Sequence, residues 1–123
     1  MIERIWHGWT TPENADEYER LLREEIIPSF DDKEIDGYRG FRLLRRSRPE
    51  EVEFVTIMRF RSIESVKQFA GEDYETAHVP QEARDVLIRF DDHAQHYELR
   101  EQLDYWLRRL TGASMKVRHL ARR

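Results

Sequence analysis

His78 and Tyr74 stand four positions apart, a spacing that puts both side chains on one face if a continuous helix runs through them. A neutral imidazole or an activated phenol can take a proton from an acidic phenol or carbon acid, so this pair is the first candidate for catalysis. The blander account makes His78 a surface histidine and Tyr74 a core residue. His7 and Trp9 lie two apart in an extended stretch and so project to one side, where they can line a flat aromatic pocket. Trp9 as a core or dimer anchor, with His7 packed beside it, is the alternative. Arg84 and Arg89 can hold an anionic oxygen of a substrate, although a solvated helix charge accounts for either. His93 and His96 are three apart in a stretch expected to be a strand, so they face opposite ways and make no metal pair. No Gly-rich phosphate loop and no GxSxG elbow occurs, which removes nucleotide binding and serine hydrolysis as leading readings.

The elements that position these residues follow from apolar periodicity. Ile2 to Thr10 is rich in β-branched and aromatic residues and reads as a strand. Thr11-Pro12-Glu13 combines a capping hydroxyl, a proline at the first helical position and an early acid. A helix is expected from there, with Ala15, Tyr18, Leu21, Leu22 and Ile26 on its apolar face, kinked or ended by Pro28 before Phe30. Tyr38–Arg48 and Val52–Arg61 read as two strands of a hairpin, Phe54, Thr56, Met58 and Phe60 lining one face of the second. A short helix is expected after Ser62 and helical character over Tyr74–His78 and Pro80–Leu87. A fourth strand is expected over His93–Leu99. Leu103, Trp106, Leu107 and Leu110 recur at helical spacing before Gly112, predicting an added C-terminal helix.

Composition bounds the function. A chain of 123 residues fits one domain able to bury roughly two-thirds of its unfolded surface. With no cysteine, disulfides, thiolate metal sites and catalytic thiols are excluded, and nothing requires an oxidising compartment. No apolar run approaches the roughly 20 residues that span a bilayer and the first residues do not look like a leader, so a cytoplasmic protein without a membrane partner is the expectation. A net charge of −4 argues against nucleic acid as a partner, since phosphate neutralisation needs clustered Lys and Arg. Lys116, Arg118, Arg122 and Arg123 make a basic tail with no acid after Thr111, read as a solvated end.

The order strand, helix, strand, strand, helix, strand is that of an α+β, ferredoxin-like βαββαβ fold, with an antiparallel sheet and its helices on one face. That topology leaves the other sheet face bare, yet the first and third strands carry apolar residues on both faces. A second copy packed sheet to sheet is the simplest cover; a C-terminal helix folded back over the face is the alternative.

Several stretches resemble the antibiotic-biosynthesis monooxygenase family of dimeric α/β barrels. They are Arg4-Ile5-Trp6-His7-Gly8-Trp9-Thr10-Thr11 with Pro12 to Ala15, Gly37-Tyr38-Arg39-Gly40, Glu53 to Met58, Phe69 to Val79, and His96-Tyr97-Glu98. The likeness spans residues 1–100 and leaves 101–123 as an added helix and tail. It implies a homodimer with a pocket between the sheet and helices of each protomer, taking a small hydrophobic aromatic ligand such as a polyketide or quinol. It also implies oxidation by molecular oxygen with no cofactor, a chemistry for which the residues themselves offer His78 and Tyr74 as the catalytic pair and His7, Trp9, Phe69 and Arg84 as substrate contacts. A related branch of the family degrades haem with a first-strand asparagine, a second-helix tryptophan and a ligating histidine. Here His7 or Gly8 stands near the first position and Phe69 near the second, and only His78, in Glu75-Thr76-Ala77-His78, matches. Haem is therefore the lesser expectation, and a non-catalytic ligand-binding or stress-responsive dimer of the same fold is the rival to an enzyme.

Overall fold

The computed structural model describes residues 1–106 and, beyond them, the strand Met115–Leu120. The first strand, β1 (Ile2–Thr10), pairs antiparallel with β3 (Val52–Phe60), setting Arg4 opposite Met58, Trp6 opposite Thr56 and Gly8 opposite Phe54. β2 (Tyr38–Ser47) pairs antiparallel with the other edge of β3 as the expected hairpin. In β3 the alternation is complete: Val52, Phe54, Thr56, Met58 and Phe60 are buried, while Glu53, Val55, Ile57 and Arg59 face the other way, half-buried. The sheet is antiparallel, in the order β2-β3-β1-β4, where β4 is Arg89–Phe90, and β5 (Gln95–Glu98) adds to the same edge of β1.

Thr11 caps the first helical segment, its Oγ1 accepting from the Asn14 amide at 3.2 Å, and Pro12 opens that segment as a 3₁₀ turn. The chain continues as α1 (Ala15–Leu21), a wider π turn (Leu22–Ile26) and α2 (Ile27–Asp32). Pro28 was expected to kink or end the helix before Phe30, but the helical path runs on to Asp32. The physical reason lies in the π turn. There the Ile27 amide reaches back to the Leu22 carbonyl, five residues away, so the ladder is already offset where proline lacks its donor. Phe30 therefore stays helical and packs edge-on to Phe69 at 5.0 Å. α3 (Ile63–Ala70) starts at the Ser62 cap and ends at Gly71, which takes φ +91°; α4 (Gln81–Arg84) follows Pro80.

Three further expectations are corrected. Residues 74–78 are not helical: Thr76 bridges His93, the Ala77 amide donates to the Asp92 carbonyl at 2.8 Å and the Ala94 amide to the Glu75 carbonyl at 2.8 Å. β-branched Thr76 and Val79, and Pro80 disfavouring the α conformation at Val79, oppose a helix there. The fourth strand is split into β4 and β5, joined by Asp91–Ala94. Finally, Glu101–Trp106 is not the start of a helix but a strand, β6, paired antiparallel with β7 (Met115–Leu120) in a separate two-stranded sheet. Four apolar residues at helical spacing make a weak helix in water, whereas Tyr105, Trp106 and Val117 favour a ladder. The part of that expected helix from residue 107 to 110 lies outside the described residues, as do Arg122 and Arg123 of the basic tail. Lys116, Arg118 and His119 of the tail belong to β7 and so are not a free end.

Two core clusters sit between sheet and helices. One joins Ala15, Tyr18, Leu21, Leu22, Val52, Phe54 and Ala83; the other joins Met58, Phe60 and Val66. Ile5, His7 and Trp9 of β1 and Val55 and Ile57 of β3 occupy the opposite face. No described helix is long and apolar enough to cross a membrane.

Candidate functional site

The two clusters do not meet everywhere. Between them a cavity of about 390 Å³ opens against the sheet, with Trp6, Phe41 and Met58 on its sheet side and Tyr18, Leu22 and Phe69 on its helix side. That volume suits a small ligand of one or two fused rings. The walls are apolar because the alternation of β1 and β3 aims even-numbered side chains inward, and the helices meet them with their own apolar faces.

Strand periodicity also aims one charge inward. Arg4 shares the inner face with Trp6 and is only 7% exposed. One guanidinium nitrogen, Nη1, donates to the Tyr74 carbonyl and to His96 Nε2, the latter at 3.0 Å. Among the described residues no carboxylate lies within ion-pair distance of it. Burial draws the Arg4 pKa down to about 10, which still leaves the side chain charged at neutral pH. Burial, with the Arg4 charge adding to it, lowers His96 to about 4. His96 is therefore neutral near pH 7, and its Nε2 serves as acceptor while Nδ1 holds the proton.

This arrangement makes stability depend on pH in a definable window. An unfolded His titrates at about 6.5, the folded His96 at about 4. As pH falls between those values the unfolded chain takes up a proton that the native chain refuses, so a contribution present above the unfolded pKa is lost on acidification. His96→Gln keeps an acceptor for Arg4 without titrating. Its urea midpoint is expected to fall less than that of the wild type between about pH 7 and about pH 4.5; parallel falls would dismiss His96 as the source.

The other polar groups on the wall are Tyr18, Thr56, Lys33 and His78. Tyr18 is 1% exposed, its ring edge-on to Phe54 at 4.9 Å, and burial pushes its phenol well above the ordinary tyrosine range. It stays protonated. His78 and Lys33 are exposed and stand at the mouth; Lys33 Nζ donates to the Phe69 carbonyl at 3.2 Å and sits 4.6 Å from that ring's centre.

Of the residues singled out from sequence, the structure brings His78 and Phe69 to the cavity. Tyr74 is not on its wall: with the helix absent, the ring lies edge-on to His96 at 5.1 Å and the carbonyl serves Arg4. His7 and Trp9 do project together, their rings stacked at 6.1 Å, but on the sheet face opposite the cavity. There His7 Nδ1 meets the Asp91 carboxylate at 2.8 Å, and Arg89 covers Trp9 while pairing with both oxygens of Glu51. Arg84 is exposed, donates to the Val79 carbonyl at 2.9 Å and lies over Phe90, away from the wall. His93 is exposed and precedes β5. Arg4 was not singled out from sequence, although a usable signal existed: it shares the two-residue alternation of Trp6 and so must point where the apolar side chains point. Among the described residues no group of three or more His, Asp or Glu is placed to hold a metal ion.

No protein-family model matches this chain, and no curated protein sequence matches it. Its class is therefore set by its architecture: an α+β domain whose antiparallel sheet and helices flank a ligand-sized apolar cavity with a buried cation in its wall.

Proposed function

We propose that the chain is a ferredoxin-like, cytoplasmic, homodimeric relative of the antibiotic-biosynthesis monooxygenases that oxidises a small phenolic aromatic compound with molecular oxygen and no cofactor. The observation that carries this reading is the cavity of about 390 Å³ between sheet and helices, where the sequence resemblance expects a pocket. The strand order β2-β3-β1-β4 supports the split βαβ topology. The dimer reading rests on Ile5, Trp9, Val55 and Ile57 of the uncovered sheet face, together with Leu44 at 48% and Tyr97 at 56% exposure, a patch suited to a second copy. Light scattering at the mass of one chain would remove the dimer from the proposal.

In this reading the ring lies against Trp6, Met58 and Phe69, and His78 at the mouth accepts the phenolic proton. The electron-rich ring then reacts with oxygen. One oxygen atom becomes the new quinone carbonyl and the other leaves as water, so the phenol supplies all the electrons. The test is oxygen uptake with hydroxylated benzenes and naphthalenes. His78→Ala is expected to lower turnover about 100-fold or more, the usual contribution of a positioned base, with ligand affinity little changed. Binding without oxygen uptake would replace the enzyme by its rival, a ligand-binding or stress-responsive dimer. Because His78 reaches the cavity mouth, a haem-binding relative is the remaining alternative, and a Soret band on titration with haemin would favour it.

A further inference from the structure

We propose that Arg4 is the receptor for an ionised oxygen on an otherwise apolar, ring-sized ligand, so that the cavity selects organic acids, whether carboxylates or phenolates, over their neutral isosteres. This deepens the reading above and rests on the cavity being a ligand site.

The first support is the unmatched charge. A buried cation is costly unless paired, and the chain has 25 acidic residues, yet among the described residues none reaches Arg4. Among the described residues the cavity wall holds Arg4 and Lys33 as its cations and no carboxylate. A fold that leaves its buried guanidinium without a counter-charge, in a site so short of negative groups, leaves that role to a ligand.

The second support is donor geometry. A guanidinium presents five N–H donors in a planar fork, and here only Nη1 has protein acceptors, the Tyr74 carbonyl and His96 Nε2. Nε and Nη2 have none among the described residues, and Arg4 is part of the cavity wall. The Tyr74 carbonyl and neutral His96 fix the guanidinium from behind and cannot neutralise it, which is how a preorganised anion site is held. Phe69 closes one side, with its ring centre 5.8 Å from the Arg4 guanidinium carbon. A flat ligand can therefore lie along Phe69 and Trp6 with its charged oxygen on Arg4, the hydroxyl whose proton His78 takes being a second one at the mouth end.

The experiment is calorimetric titration of the full-length protein with 2-naphthoate, with methyl 2-naphthoate as the neutral isostere, and with 2-naphthol above and below its own ionisation. Wild type is expected to bind naphthoate about 10- to 100-fold more tightly than the ester, the range for a hydrogen bond to a charged group. Arg4→Gln should abolish that preference while leaving ester affinity within about twofold. Arg4→Lys, which keeps the charge and a donor, should retain part of it and guards against a folding failure of the glutamine variant. Naphthol affinity that rises as the phenol ionises extends the site to phenolates, and affinity that does not rise restricts it to carboxylates. Equal binding of acid and ester by wild type, or a preference that survives in Arg4→Gln, overturns the role of Arg4 and leaves the cavity reading standing. If neither naphthoate nor ester binds, both readings fall.

Discussion

Replacing Phe54 by alanine is expected to remove about 3–5 kcal/mol of stability. Phe54 is completely buried at the centre of β3. Its ring receives the edge of Tyr18 at 4.9 Å, and the Arg45 guanidinium covers it at 5.6 Å while also pairing with Asp16 and Glu19 of the first helix. The ring thus joins strand, helix and a charge bridge between them. Truncation costs its transfer free energy and leaves a void beside a cavity that already exists, so neighbouring side chains have little reason to collapse inward. Since domains of this size are stable by only about 5–15 kcal/mol, the variant should lose roughly a fifth of its stability at the least and nearly all of it at the most. Urea unfolding with an unchanged slope and a much lower midpoint is the expected record. A midpoint within experimental error of wild type would mean that Phe54 is not the keystone its burial indicates.

Gly37→Ala is expected to cost about 3 kcal/mol or more, from backbone strain and overpacking together. Gly37 enters β2 at φ +95°, where an L side chain is strained. A Cβ there would stand 2.9 Å from Ser65 Cβ and closer still to Ser65 Oγ, and Ser65 is itself buried in the first turn of α3. The glycine cannot simply withdraw, because its carbonyl accepts from the Arg61 amide at 2.7 Å. A melting temperature lower by roughly 10 °C is expected. The two causes separate in a double-mutant cycle. Ser65→Gly removes the clash and leaves the strain, so Gly37→Ala with Ser65→Gly should be more stable than the two single losses add up to, by about 1 kcal/mol or more. Strict additivity would show that the clash relaxes without help and that strain alone is responsible.

The strands β1, β2 and β3 and the first helix were legible in the sequence because their signals are local and redundant. β3 alternates without a break from Val52 to Phe60, and Thr11 with Pro12 supplies a cap and a preset first turn that no distant contact has to complete. Phe69 and His78 line the cavity. Tyr74 does not, because the proposed face depended on a helix that Thr76, Val79 and Pro80 do not favour and that the ladder to His93 replaces. The stretch after Glu101 misled for a related reason: spacing alone describes both a weak helix and a strand, and the deciding partner, Met115–Leu120, is nine or more residues away.

What the sequence by itself determined, then, is the order of the elements from β1 to α3 and which side chains share a face on each, since side-chain direction follows from the periods of helix and strand. Alternation in β1 already committed Arg4 to the face of Trp6, and His7 and Trp9 to the other. Only the tertiary structure decided which of those faces the helices cover, and so that the cavity belongs to Arg4 and not to His7. Period is a property of one chain segment, but the covered face, the missing counter-charge and the neutral His96 behind Arg4 depend on residues brought together from as far apart as Arg4 and His96.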